Sequence, residues 1–241
     1  MKLIKTKNYE ELSHQAAGQI ISRITSNPSL NLGLATGSTP TLVYKKLIQD
    51  HDENRTSYKK INTFNLDEYI GIPKKDPQSY HYFMCENLFN HIDIPLEQTH
   101  IPDGTAKDLG AECTRYERFI QEHGGVDLQI LGIGQNGHIG FNEPGTAFTS
   151  RTHIINLSDS TRKANSRFFE SLEDVPTQAI TMGISSIMAS KEIFLLVSGA
   201  SKAQALLRLM NGEISEDFPA SILQEHGNVT IFADEEALKL L

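Results

Sequence analysis

Apolar positions along the chain alternate between two spacings, and the elements they predict alternate with them. From Tyr9 to Thr25, Leu12, Ala16, Ile20 and Ile24 recur at every fourth position, which predicts an amphipathic helix. Asn31-Leu32-Gly33-Leu34-Ala35-Thr36 then forms a short buried strand pattern, and Thr41 to Asp50 a second helix. Strands are predicted again at Ile61 to Leu66, Val126 to Leu131, Glu192 to Val197 and Val229 to Ala233. Between them, helical periodicity covers Ser79 to Asn90, Ala111 to His123, Asp159 to Glu170 and Ser201 to Met210. Short apolar runs separated by helices are the signature of βαβ units, so an α/β fold with a mostly parallel sheet flanked by helices is expected. No internal repeat and no Pro- or Gly-rich linker interrupts the pattern, which implies one domain over residues 1–241. Ligands of such sheets sit at the carboxyl ends of strands, so the segments after Ala35, Leu66, Leu131 and Val197 are the candidates for chemistry.

Charge and cysteine content narrow the choice of partner. Thirty acidic against twenty-two basic residues give a formal net charge of −8, the wrong sign for a general nucleic-acid binder. A small anionic ligand stays compatible, because a few local groups and helix ends set the charge of a site. The longest apolar run, Ile193 to Val197, is far too short to span a membrane, and Met1 to Lys5 lacks the apolar stretch of a signal peptide. A cytoplasmic protein is expected, with neither membrane nor nucleic acid as partner. Cys85 and Cys113 stand apart without metal-ligand spacing, so neither a disulfide framework nor a structural zinc site is supported.

Four segments carry candidate chemistry. Thr36-Gly37-Ser38-Thr39-Pro40 leads from a strand into a helix, where small residues, two hydroxyls and the free amides of the helix start suit a phosphate, or where Ser38 or Thr39 simply caps the helix. Gly132-Ile133-Gly134-Gln135-Asn136-Gly137 matches the dinucleotide fingerprint literally, but the residues that follow have no helical period and meet Pro144, so the helix that would hold a pyrophosphate is missing. In the same loop His138 and Glu143 can form a proton-shuttling pair, or lie on the surface as an ordinary histidine and a solvated carboxylate. Asp67 and Glu68, at another strand end, include a candidate base for a C–H beside a carbonyl, or a helix cap; adjacent side chains point apart, so the two need not share a role. Arg167 and Lys202 are candidate counter-charges to a phosphate, or plain surface charges. Ser198-Gly199-Ala200-Ser201-Lys202 repeats the strand, small-residue turn and helix arrangement seen around Gly37.

Taken together, Leu34-Ala35-Thr36-Gly37-Ser38-Thr39-Pro40, Phe64-Asn65-Leu66-Asp67-Glu68-Tyr69-Ile70-Gly71, Gly134-Gln135-Asn136-Gly137-His138-Ile139-Gly140-Phe141-Asn142-Glu143-Pro144 and Asn165-Ser166-Arg167-Phe168-Phe169 resemble the glucosamine-6-phosphate deaminase family over nearly the whole chain. The resemblance implies a single-domain Rossmann-like fold and conversion of glucosamine 6-phosphate and water to fructose 6-phosphate and ammonia in amino-sugar breakdown, with no metal and no redox cofactor. It assigns ring opening to His138 supported by Glu143 and Asn136, removal of the C2 proton to Asp67, and phosphate or substrate binding to Thr36, Gly37, Ser38, Thr39, Arg167 and Lys202. Many members carry Asp where this chain has Asn136, so His138 is expected to titrate lower here. Members regulated by N-acetylglucosamine 6-phosphate carry a longer C-terminus and a basic residue where this chain has His153; weak or absent regulation is expected, in a monomer or small homo-oligomer. Two alternatives share the fold: a 6-phosphogluconolactonase, which needs no C2 base, and a phosphosugar-sensing module without turnover.

Overall fold

The computed structural model describes residues 1–166 and 169–241, apart from the side chains of Ser160 and Ala164. In chain order its strands and α-helices are β1 (Lys2–Thr6), α1 (Tyr9–Ser26), β2 (Asn31–Leu34), α2 (Ser38–Asn54), β3 (Asn62–Asn65), β4 (Asp67–Tyr69), α3 (Tyr80–Asn87), β5 (Thr99–His100), α4 (Leu109–Glu122), β6 (Leu128–Gly132), β7 (His153–Asn156), α5 (Asp159–Asn165), β8 (Gln178–Thr181), α6 (Ile184–Met188), β9 (Glu192–Val197), α7 (Ala203–Asn211), β10 (Val229–Asp234) and α8 (Glu235–Leu238). Seven strands form one sheet in the order β1-β10-β9-β6-β2-β3-β5, with every neighbouring pair parallel. From β2 the chain steps outward through β3 to β5, and from β6 it steps the other way through β9 to β10. The direction reverses between β2 and β6, and a crevice opens at such a reversal beyond the strand ends.

Helices cover both faces of this sheet. On β9, Ile193, Leu195 and Val197 pack into one core cluster with Tyr116 of α4 and Leu206 of α7, while Phe194 and Leu196 enter a second with Ile20 of α1 and Val43 of α2. A strand buried on both sides needs apolar residues at every position, which accounts for the unbroken run that the sequence shows there. Each such side chain removed from water contributes about 1.5–3 kcal/mol. In α1 the predicted stripe of Leu12, Ala16, Ile20 and Ile24 is the buried face, and Asn8 caps the helix by accepting from Glu11 N.

Three boundaries depart from expectation for physical reasons. The second helix starts at Ser38, not Thr41, because Pro40 sits in its first turn, where a missing N–H leaves no bond unmade. Helix α5 closes at Asn165, short of the predicted Glu170, with Ser166 as its C-cap. The predicted strand over Ile61 to Leu66 is divided: β3 ends at Asn65, and Leu66 joins two sheets, donating its N–H to Leu34 O (3.0 Å) and accepting from Met182 N (2.6 Å). Beyond it, Asp67–Tyr69 form an edge of a three-stranded antiparallel sheet, β4-β8-β7, which the apolar pattern does not reveal. No described helix is long and apolar enough to cross a membrane.

Candidate active site

A cavity of about 1000 Å³ opens beyond the carboxyl ends of β2 and β6. Thr36, Gly37, Ser38, Thr39, Asp67, Asn136, His138 and Lys202 all line it, so residues from four separated segments converge on one space. Arg167 lies outside the described residues.

Two equivalent turns form one end of the cavity. Gly37, at φ +97°, is the N-cap of α2, and no side chain fills the cap; the two hydroxyls after it line the cavity. Of the two uses that the sequence left open for Ser38 and Thr39, the structure thus disfavours capping of this helix start. Tyr9 anchors this start, its hydroxyl meeting Ser38 O (2.8 Å) and accepting from Leu42 N (3.1 Å). The second turn follows β9, where Gly199 adopts φ +90° and Ala200–Lys202 make a 3-10 turn into α7. Asp234, at the end of β10, holds this turn from behind by accepting from Gly199 N (3.0 Å) and Ser198 Oγ while also capping α8 through Ala237 N (2.9 Å). Glycine suits both turns because a positive φ strains other residues.

The loop after β6 builds a second wall. No helix follows the glycines; the chain turns back at Gly137, and Gly134 N bonds His138 O at 2.9 Å. The missing helix start removes the dinucleotide reading. Gly134 is required for close approach, since a Cβ there would stand 2.3 Å from the His138 imidazole. His138 Nδ1 lies 3.8 Å from Glu143 Oε2, beyond hydrogen-bond distance, and the two form an ion pair only when the imidazole carries its proton. Asn136 does not touch the imidazole: its Nδ2 donates to Glu143 Oε2 (2.8 Å), and its Oδ1 accepts from the His138 backbone N–H (3.2 Å). The imidazole titrates below the ordinary histidine value, first because burial penalises its charge, with Lys202 acting in the same direction against the pull of Glu143. This lowering is relative to a free histidine and is due first to burial; it is separate from the effect expected of Asn136 in place of an aspartate.

The third wall is β4. Asp67 faces the cavity, only 6 % exposed, and its carboxyl is pushed up to about 8, chiefly by burial and secondarily by the neighbouring charge of Glu68. Glu68 points the other way and accepts from Tyr69 N (2.9 Å), Tyr80 N (2.9 Å) and His81 N (3.0 Å), tying β4 to the start of α3. Burial lifts Glu68 to about 7 despite those three donors. Two adjacent carboxylates therefore serve two ends, one open to the cavity and one holding a helix.

Several further lining residues are not among the candidate site residues, although Tyr69, Phe141 and Asn165 lie within the motif segments. Tyr69, Tyr80 and Phe141 form an aromatic wall, with Tyr69 and Tyr80 rings 4.7 Å apart and Tyr80 stacked on Phe141 at 6.0 Å. Thr161 and Asn165 face the cavity from α5. The helix predicted over this segment puts them one turn apart on one face, a spacing that no charge marks as functional. The arrangement has two groups able to transfer protons, Asp67 and His138, on one partly apolar cavity, with Glu143 behind the histidine and with hydroxyls and a lysine at the far end.

Comparison with known proteins agrees with this layout. A family model described as glucosamine-6-phosphate isomerases/6-phosphogluconolactonase matches residues 6–232. A glucosamine-6-phosphate deaminase of Halalkalibacterium halodurans is 57% identical over 239 residues, covering 99% of this chain and 97% of the relative. Glucosamine-6-phosphate deaminase 1 of Bacillus subtilis is 51% identical over 240 residues, covering 100% and 99%. The solved structure of a monomeric glucosamine-6-phosphate deaminase superposes with a TM-score of 0.99 at 51% identity over 100% of both chains. A 6-phosphogluconolactonase from Trypanosoma cruzi shares the fold, with a TM-score of 0.82 at 19% identity over 100% of this chain and 96% of that one.

Proposed function

Because this chain belongs to the family of glucosamine-6-phosphate isomerases and 6-phosphogluconolactonases, we propose that it is a deaminase, turning glucosamine 6-phosphate and water into fructose 6-phosphate and ammonia. The observation that carries this reading over lactone hydrolysis is Asp67: a buried carboxyl with a raised proton affinity on the same cavity as the histidine pair. Hydrolysing a lactone requires one activated water, whereas moving a proton from C2 to C1 of an aminosugar requires a separate base at C2.

The phosphate binds at the paired turns, held by the amides at the start of α2, by Ser38 and Thr39, and by Lys202, with Arg167 as a further cation and Thr36 and Gly37 shaping the loop. His138 takes the proton of the C1 hydroxyl and returns it to the ring oxygen, opening the pyranose; Glu143 steadies the transient imidazolium, and Asn136 orients Glu143. Asp67 then removes the C2 proton, whose electrons form an enolamine with the C1 carbonyl as sink. Protonation at C1 produces a C2 iminium, and water adds there as ammonia leaves. No step requires a metal or a redox cofactor. In this reading the whole of residues 1–241 serves amino-sugar breakdown in the cytoplasm, as a monomer or small homo-oligomer.

Formation of ammonia and fructose 6-phosphate in equal amounts from glucosamine 6-phosphate tests the assignment, and turnover of 6-phosphogluconolactone alone would replace it. The phosphate end is tested separately by Lys202→Ala. One charge-assisted contact to phosphate is worth about 1.5–3 kcal/mol, so KM should rise about 10- to 100-fold, with a smaller change in kcat from the charge that Lys202 sets against the His138 proton. A fall in kcat at constant KM would move Lys202 from binding to chemistry.

A further inference from the structure

We propose that Thr161, with Ser158 beside it, is a positioning residue for ring opening: the two hydroxyls of α5 hold one oxygen of Glu143 and so set how far the other stands from His138. The proposal rests on the deaminase reading for the identity of the step, and on geometry for the clamp.

The Glu143 carboxylate is 8 % exposed and divided between two duties. Its Oε1 accepts from Ser158 Oγ at 3.0 Å and from Thr161 Oγ1. Its Oε2 accepts from Asn136 Nδ2 and faces His138 Nδ1 across 3.8 Å, too far for a hydrogen bond. His138 Nδ1 is buried and has no hydrogen-bond partner among the described residues. A carboxylate holding three donors spreads its charge over them, and held by α5 it cannot swing the remaining distance to the imidazole. Ser158 and Thr161 lie three positions apart, so both hydroxyls project from the same first turn of α5; Ser158 Oγ also caps that turn by accepting from Thr161 N at 3.2 Å.

The other end of α5 shows why this matters to the whole site. Asn165, one turn beyond Thr161 on the same face, donates its Nδ2 to Tyr69 Oη at 2.9 Å. Tyr69 lies on β4, two residues after Asp67. One helix face therefore joins the histidine pair to the strand that carries the C2 base. Ring opening needs an imidazole that both takes a proton from the C1 hydroxyl and gives it up to the ring oxygen. The charges facing it are Glu143, which favours the proton, and Lys202, which opposes it. By keeping Glu143 at a distance, Thr161 leaves the imidazole able to release what it takes.

The test uses Thr161→Val, nearly equal in size and without the hydroxyl, beside Thr161→Ser, which keeps it. The titration of His138 is followed by NMR of its ring C–H, assigned by the loss of that signal in His138→Gln. T161V should move the His138 titration upward and lower kcat about tenfold with KM changed less than about twofold, while T161S should keep both values within about twofold of the parent. If T161V does not fold, Ser158→Gly must produce the upward shift instead: it removes the second donor to the same oxygen, together with the side-chain cap on Thr161 N, a loss that glycine at an N-cap keeps small. A His138 titration in the hydroxyl-deleted protein that coincides with the parent's, or a T161S that behaves like T161V, overturns the clamp. The titration is read without substrate, so it stands or falls apart from the deaminase assignment, which fails only if the parent protein releases no ammonia.

Discussion

Asp67→Asn should lower kcat on glucosamine 6-phosphate by at least about 100-fold, the low end for loss of an acid–base group, while the affinity for a phosphosugar changes less than about threefold. Asparagine has the same shape and cannot accept a proton at the pH of the reaction. In the proposed reading the phosphate is captured at the turns beginning at Gly37 and Gly199, which line the cavity from other elements than the strand that carries Asp67. Binding and chemistry should therefore separate cleanly, with binding read from competitive inhibition by a non-reacting phosphosugar. A variant that turns over within a few-fold of the parent would remove Asp67 from the role of base.

The second expected result concerns pH. The free protein holds the Asp67 carboxyl at about 8, so at neutral pH most of it carries the proton it must lose before acting. Because kcat/KM reports the free enzyme, it should climb about tenfold per pH unit well below that value and flatten on reaching it, or about 50-fold from pH 6 to pH 8. In the complex the ammonium of the substrate favours the ionised carboxyl, so kcat should level off at lower pH. Stability should run in the opposite direction. The folded state prefers the protonated carboxyl, an advantage complete below about pH 4 and lost as pH rises through about 8. Asp67→Asn, which cannot ionise, should match the parent at pH 4 and exceed it at pH 8 by an amount on the order of a few kcal/mol, seen as a higher unfolding midpoint. An equal difference in midpoint at both pH values would show that the buried carboxyl is ionised throughout.

The parts of this molecule that were legible in its sequence are those whose burial is one- or two-sided in a regular way. The four-residue stripe of α1 and the unbroken run Ile193–Val197 each report a surface facing helices, and each fell where expected. The outer strand β1 did not show itself, because Lys2 and Lys5 on an exposed edge dilute its pattern. The antiparallel sheet was hidden for a different reason. In β4 the chain places Asp67 and Glu68 at buried positions, so polarity argues against a strand at the place where function demands polar groups inside. The site was legible as motifs because its glycines and charges are contiguous in sequence at each strand end. Thr161, Asn165 and Tyr80 were not: the helical spacing of Thr161 and Asn165 shows that they share a face, but the tertiary contacts through which all three act are set by the fold. How Asn136 would support His138 was not legible either: it donates to Glu143 and accepts from the His138 backbone, a detail decided by the fold of the loop.

The account turns on one proton, and one labelling experiment follows it. Glucosamine 6-phosphate carrying deuterium at C2 is incubated with the protein, and the released ammonia and the carbon-bound label in the sugar product are measured together. Ammonia and fructose 6-phosphate in equal amounts, with the deuterium gone from C2 and found at C1 or in water, is the expected result. A sugar product that keeps deuterium at C2, or ammonia release without a ketose, would contradict it.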